Sequence, residues 1–206
     1  MSPLQREWTK SIPLKNDGKA TRFLLSMDKS LISAAAINKE YAKDYISWAN
    51  PLPEEVVQQI IDGSVTFGMY KCLIDQEKTT ASNEGEQAPS LETNNLEERS
   101  CPTTVSNWSP HQLEQIGFAR LVTDQVTFFY LADVYIQPQY QGSGLGTWML
   151  QSIDEVLLSM PHLRRFILVA TGERGARYYA KNMNMAILGE TGSMVVMGRT
   201  GPGSAV

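Results

Sequence analysis

The chain has 206 residues, 42% of them hydrophobic, which is enough for one substantial core and not clearly for two. Its formal net charge of −4, from 22 acidic and 18 basic residues, argues against nucleic acid as a partner. Isolated Cys72, Cys101, His111 and His162 argue against a metal site or disulfide framework, and the absence of a long apolar run or an apolar leader in "MSPLQREWTK" points to a cytoplasmic protein without a membrane span.

In chain order, "TRFLLSMD" (21–28) predicts a strand, and 30–50 carries one or two helices. "PEEVVQQIIDG" (53–63) is a better-signalled helix. Pro53 opens it, two glutamates sit in the first turn, apolar pairs fall at 56/57 and 60/61, and Gly63 stops it. "VTFGMYKCLI" (65–74), "QIGFARLVT" (115–123) and "VTFFYLADVYI" (126–136) are β-branched and aromatic, and predict an antiparallel meander.

Between the first two of these strands lies 76–110, rich in Ser, Thr, Asn, Glu and Pro and poor in aliphatics. Such a stretch buries too little apolar surface to offset its ordering entropy. It holds six glutamates against Lys78 and Arg99, a net of −4, so the rest of the chain is neutral. The expectation is one domain over residues 1–206, with a disordered acidic insertion at about 76–110 acting as a solvated spacer.

After the third meander strand comes "QPQYQGSGLGTW", with Gly142, Gly144 and Gly146 in five positions. A helix follows, its stripe formed by Leu145, Met149, Ile153, Val156, Leu157 and Met160. "RRFILVAT" (164–171) reads as a strand buried on both faces. Strand, helix and strand make a right-handed βαβ unit with parallel strands. A helix over 173–183, a last strand at 194–198 and a frayed tail complete the chain.

The glycines therefore lie between a strand end and a helix start. Unsatisfied amides and the helix dipole there make an anion site, and glycine lets the backbone curl into a nest that a phosphate can approach. A Walker A loop would need a lysine that is absent, and a dinucleotide fingerprint would need glycine where Thr147 stands. The pattern [QR]-x-x-G-x-[GA] fits twice, from Gln139 to Gly144 and from Gln141 to Gly146.

With that pattern placed after "DVYIQPQY", the stretch "GFARLVTDQVTFFYLADVYIQPQYQGSGLGTWMLQSIDEVL" resembles the GNAT superfamily of acyl-CoA-dependent N-acyltransferases. The resemblance extends to "SWANPLPEEVVQQIIDGSVTFG" and "LRRFILVATGERGARYYAK", and so covers most of 20–200 outside the insertion. It implies an α/β fold: a central, mixed, mostly antiparallel sheet with two splayed parallel strands, flanked by helices. It also implies acetyl-CoA as co-substrate, with no metal. The backbone of Val134, Tyr135 and Ile136 would pair with the pantetheine arm. The amides of Gln141, Gly142, Ser143, Gly144, Leu145, Gly146 and Thr147 would hold the pyrophosphate. Gln141 stands where the family commonly has arginine, which implies a weaker hold on the 3′-phosphoadenosine end, and the insertion exceeds the family's usual turn.

The family often uses a tyrosine to protonate the departing thiolate. "GARYYAKNMNM" offers Tyr178 and Tyr179, and the longer family spacing favours Tyr179. Asp133, the only acid in its strand, is either hydrogen-bonded scaffold or a base with a shifted pKa. Tyr130 lies near the family's glutamate-base position, and Trp48 and Tyr45 fall in its acceptor-covering helices. The expected activity is acetyl transfer to a primary amine of a small molecule, by direct attack in a ternary complex, in a monomer or homodimer. The alternatives are a protein N-terminal or lysine acetyltransferase, and a silent acyl-CoA sensor.

Overall fold

The computed structural model describes residues 6–13, 20–73 and 108–205. Among them the chain forms β1 (Glu7–Pro13), β2 (Ala20–Ser26), α1 (Ala34–Tyr41), α2 (Glu54–Asp62), β3 (Val65–Cys72), β4 (Leu113–Thr123), β5 (Phe128–Ile136), α3 (Leu145–Leu158), β6 (Arg165–Thr171), α4 (Gly172–Met183), β7 (Ala186–Thr191) and β8 (Met194–Thr200). The strands make one sheet in the order β1–β2–β3–β4–β5–β6–β8–β7. Only β5 and β6 pair in parallel; every other neighbour is antiparallel. The expected mixed, mostly antiparallel α/β architecture is thus the one observed. No described helix is long and apolar enough to cross a membrane.

Local chemistry explains the helix boundaries. Ser33 Oγ accepts the amide of Ala36 at 3.1 Å and starts α1. In α2 the carboxylates of Glu54 and Glu55 face the positive end of the helix dipole, and Gly63 caps the other end. α3 begins at Gly144, whose φ of 86° is the left-handed conformation that glycine adopts without penalty.

The sheet is the middle layer. One face carries α3 and α4. Leu145, Met149, Ile153, Val156 and Leu157 pack there on Phe23, Phe67, Phe129, Leu131, Phe166 and Leu168. Each such side chain contributes about 1.5–3 kcal/mol on burial. The other face carries α1 and α2, with Ile37, Tyr41, Val57 and Ile61 over Phe118 and Tyr135.

Two sequence expectations are corrected, and two features lay outside them. β6 is buried on one face only: Phe166, Leu168 and Ala170 are covered, whereas Val169 is 42% exposed. The apolar run there does not reflect cover on both sides. Met160 is buried as expected, but follows α3 instead of lying on it. β1 and β7 are edge strands that no pattern anticipated. β1 is polar, and is tied to α3 by Arg6 Nη1 and Trp8 Nε1, which both donate to Glu155 at 3.0 Å; β7 is exposed at every position. Finally, most of the 76–110 insertion lies outside the described residues, but its end belongs to the fold. Trp108 packs against the Leu24, Leu31 and Tyr70 cluster, with the Arg22 guanidinium 5.6 Å from its ring.

Candidate active site

The parallel pair is short. Phe128–Leu131 of β5 pair with Arg165–Leu168 of β6, and then the strands part. From Ala132 onward β5 has no partner on that side, while β6 continues to Thr171 paired only with β8. The seam opens a cleft toward the carboxyl ends of both strands.

A bulge in β5 sits where the cleft begins. Phe118 faces Tyr135 and Arg120 faces Ala132, so β5 carries one residue more than β4 across this interval. Asp133 takes up the excess with a φ of 51°, a left-handed conformation unusual for a non-glycine residue. Its carboxylate holds it there. Arg120 Nε donates to Asp133 Oδ2, both side chains being mostly buried, and Arg120 Nη1 donates to Ser64 Oγ at 3.3 Å. The buried Tyr41 side chain lies beside this pair, and its pKa is raised, first by burial and then by the Asp133 charge. α1, α2's flank and β4 thus converge on the Arg120–Asp133 pair.

The glycine loop closes the cleft's far end. Gly142 and Gly144 have φ of 74° and 86°, and a Cβ added at either would meet nothing within 4 Å. Open space therefore lies above the loop. The amides of Gly142, Ser143 and Gly144 meet no acceptor among the described residues, and the first turn of α3 has no side-chain cap. Two details revise the sequence reading. The Gln141 amide is taken by the Pro138 carbonyl at 3.1 Å. Its side chain folds back, Nε2 donating to the Ile136 carbonyl at 2.8 Å, so that carbonyl has a partner within the chain. Gln141 stitches the loop to β5. The amides from Gly142 to Thr147 are those without an acceptor among the described residues.

Of the two tyrosines in α4, Tyr179 packs against the α3-side core, and burial pushes its pKa up to about 12. Tyr178 is 38% exposed and points elsewhere: a Cβ on Gly146 would come within 2.9 Å of its hydroxyl. The Tyr178 hydroxyl therefore reaches across from α4, which follows β6, to the first turn of α3, which follows β5. The rings meet edge to face at 5.7 Å.

Comparison with known proteins bears on this geometry. Residues 72–185 match the acetyltransferase (GNAT) family. The chain belongs to the GNAT acetyltransferase family. A Gibberella zeae protein provisionally named an acetyltransferase is 35% identical over 163 residues, 79% of this chain and 78% of that one. Among solved structures, a GNAT acetyltransferase from Streptococcus pneumoniae is similar at a TM-score of 0.54 with 14% identity, over 86% of this chain and 98% of that one. A spermidine N-acetyltransferase chimera of Vibrio cholerae and human sequence is similar at 0.52 with 10% identity, over 86% and 95%. A ribosomal-protein-S5-alanine acetyltransferase from Vibrio fischeri is similar at 0.53 with 9% identity, over 86% and 92%. At these identities the likeness is one of fold, and the named acceptors of the last two differ in kind.

In this GNAT acetyltransferase the remaining expected residues scatter. Val134 packs on the α3-side core and Tyr135 is buried beneath α1 and α2. Tyr130 lies on the opposite face from Phe129 and Leu131, opposite Ile167 of β6. Tyr45 lines a polar cavity of about 410 Å³ with Lys39, Glu40, Lys43, Glu114 and Gln137. Its hydroxyl donates to Glu40 Oε2, and Gln137 Nε2 donates to Glu40 Oε1 at 3.0 Å. Trp48 is exposed and does not line that cavity. Asp124 is a turn residue, accepting the amides of Val126, Thr127 and Phe128 at 2.8–3.0 Å, which holds its carboxyl well below the usual range. No group of three or more His, Cys, Asp or Glu side chains among the described residues is placed to hold a metal. Sequence reasoning missed Arg120 and Tyr41. Arg120 had a signal: it is the lone charge in "GFARLVT", across the meander from the lone acid in "VTFFYLADVYI".

Proposed function

We propose that this chain transfers an acetyl group from acetyl-CoA to a primary amine carried by a small molecule. The observation that carries this reading is the seam. A parallel strand pair parts beside a bulge, and an unfilled amide nest stands at the end of the strand that lost its partner. The residues present fit acetyl-CoA. Unpaired β5 backbone suits the amide-bearing pantetheine arm, and the amides of Gly142 to Thr147 suit a pyrophosphate, with open space over two of the glycines.

Acetyl-CoA supplies the activated thioester. The chain's residues bind and orient it, and manage protons. The amine nitrogen forms a bond to the acyl carbon, the carbon–sulfur bond breaks, and the thiolate takes a proton. We assign that proton to the Tyr178 hydroxyl; the ammonium's proton leaves to solvent, from which Tyr178 is replenished. What supports Tyr178 over Tyr179 is its hydroxyl at Gly146, on the cleft, whereas the partly buried Tyr179 ring packs against the core. Asp133 is a positioning residue in this reading, because its carboxylate is already engaged by Arg120.

The test is product analysis by mass spectrometry after incubation with acetyl-CoA and a library of amines and peptides. N-acetylated small amines with equimolar free CoA are expected. Acetylation of peptides alone would move the acceptor to protein. A rise in melting temperature with acetyl-CoA, but no release of free thiol with any amine, would leave a binding protein without transfer.

A further inference from the structure

α1 and α2 cover the second face of the sheet only as far as β5. Beyond it that face is open and apolar. Val122 of β4 stands opposite Tyr130 of β5, which stands opposite Ile167 of β6, so these residues share a face. Phe128 and Val169, two residues along, extend it and are 38% and 42% exposed. Leu188 of β7, 61% exposed, lies across Gly198 and beside Ile167; a Cβ on Gly198 would meet its Cδ1 at 2.5 Å. Tyr130 and Val169 border the point where β5 and β6 part, so the surface runs directly into the cleft.

Its charges are as telling as its apolar groups. The β5 carboxylate at its cleft end, Asp133, is already paired with Arg120, and Glu114 of β4 lies in the cavity lined by α1 residues. Arg165 marks the far end, where its guanidinium bonds Ser204 Oγ at 2.8 Å and the Arg164 carbonyl at 3.0 Å. Between Asp133 and Arg165, β5 and β6 carry no other charged side chain. The Tyr130 hydroxyl meets no partner among the described residues.

Resting on the transfer reading above, we infer that the acceptor is a primary amine with a single charge and an aromatic or branched apolar body, seated on the Tyr130–Ile167–Val169 surface. A polyamine fits poorly here. Its second and third ammonium groups would lose water against hydrocarbon, with no free carboxylate beside them among the described residues of β5 and β6. Apolar bodies gain from the same surface, by roughly 4-fold in affinity for each methylene that it covers.

The test measures amine binding to the full chain saturated with CoA, by equilibrium dialysis, so that it does not depend on turnover. 2-Phenylethylamine should bind at least about 10-fold more tightly than spermidine, and hexylamine more tightly than butylamine. Val169→Asp should weaken 2-phenylethylamine and strengthen spermidine by about 10-fold. A gain of that kind cannot come from misfolding. Equal or reversed preference in the wild type overturns the inference, as does a Val169→Asp variant with unchanged preference. If sedimentation shows a dimer that Val169→Asp dissociates while amine preference stays the same, the face is a contact between copies and the inference fails. Selective binding without acetylated product leaves the acceptor class standing and removes the transfer reading instead.

Discussion

On the β2–β5 side of the seam, both faces of the sheet are covered, except at the end of β4 and β5 where Val122 and Phe128 stand exposed. Phe67 and Phe129 lie under α3, while Phe118 and Tyr135 lie under α1 and α2. On the β6–β8–β7 side only one face is. Phe166, Leu168, Ala170, Val195 and Met197 are buried, whereas Val169, Met194 and Leu188 are exposed. The two halves draw on the same Val, Ile and Leu chemistry and differ in what stands over it. Apolar residues left uncovered beside a cleft are therefore free to meet a partner molecule instead of the core. The covered half also fixes the bulge, through Arg120 and Ser64, so the rigid side holds the geometry and the open side offers the surface.

The sharpest way to break this comparison is to truncate one side chain on each face of β6. Phe166→Ala should cost about 3–5 kcal/mol in urea denaturation. Val169→Ala, on the open face, should stay within about 1 kcal/mol. Similar costs would mean that the open face is covered in solution.

Next in size is the pair beneath the bulge. Arg120→Met should cost about 3 kcal/mol, because it leaves the mostly buried Asp133 carboxylate without its partner. Adding Asp133→Asn should recover part of the loss, by removing the stranded charge. If Asp133 positions the bulge, the double variant should show a raised KM for acetyl-CoA with the pH profile of kcat unchanged. A shifted pH profile would make Asp133 the base.

The tyrosines sharpen the comparison within the cleft. Tyr178→Phe should lower kcat by roughly 10- to 100-fold, toward the mild end of general-acid effects because a thiolate leaves readily. Tyr179→Phe should leave kcat within about 2-fold. Its effect belongs to stability at high pH. A tyrosine raised from 10.0 to about 12 on folding stabilises fully below pH 10, and that contribution is lost as pH rises toward 12. Tyr179→Phe should accordingly flatten the alkaline fall in stability over that window, as followed by urea midpoints. The reverse ranking in kcat would return the acid to Tyr179.

The smallest effect is at Gly146. Gly146→Ala should raise stability by up to about 1 kcal/mol through helix propensity, since the group in its way is the far end of the Tyr178 side chain. The displaced hydroxyl should lower kcat at the same time. A variant that is more stable and equally active would remove Tyr178 from the cleft's chemistry.

Much of this was legible beforehand, because it depends on local rules. Period-2 and period-3.6 patterns, Gly63 as a stop and the glycine run at a helix start are all set by neighbours in sequence. They fixed α2, α3, the β3–β4–β5 meander and the position of the glycine loop. The strand–helix–strand order implied the parallel pair, and the family motif added its splay. Contacts between distant segments decided the rest. Whether Tyr178 or Tyr179 faces the cleft turns on roughly 100° of helix rotation, which is set by how Ala176 and Met183 dock on the core. That Asp133 is engaged follows from Arg120, thirteen residues away, which is itself held by Ser64 just beyond α2. That β6 is covered once and not twice depends on where α1 and α2 stop. A run of apolar residues records what a strand can bury, and only the neighbouring layer determines what it does bury.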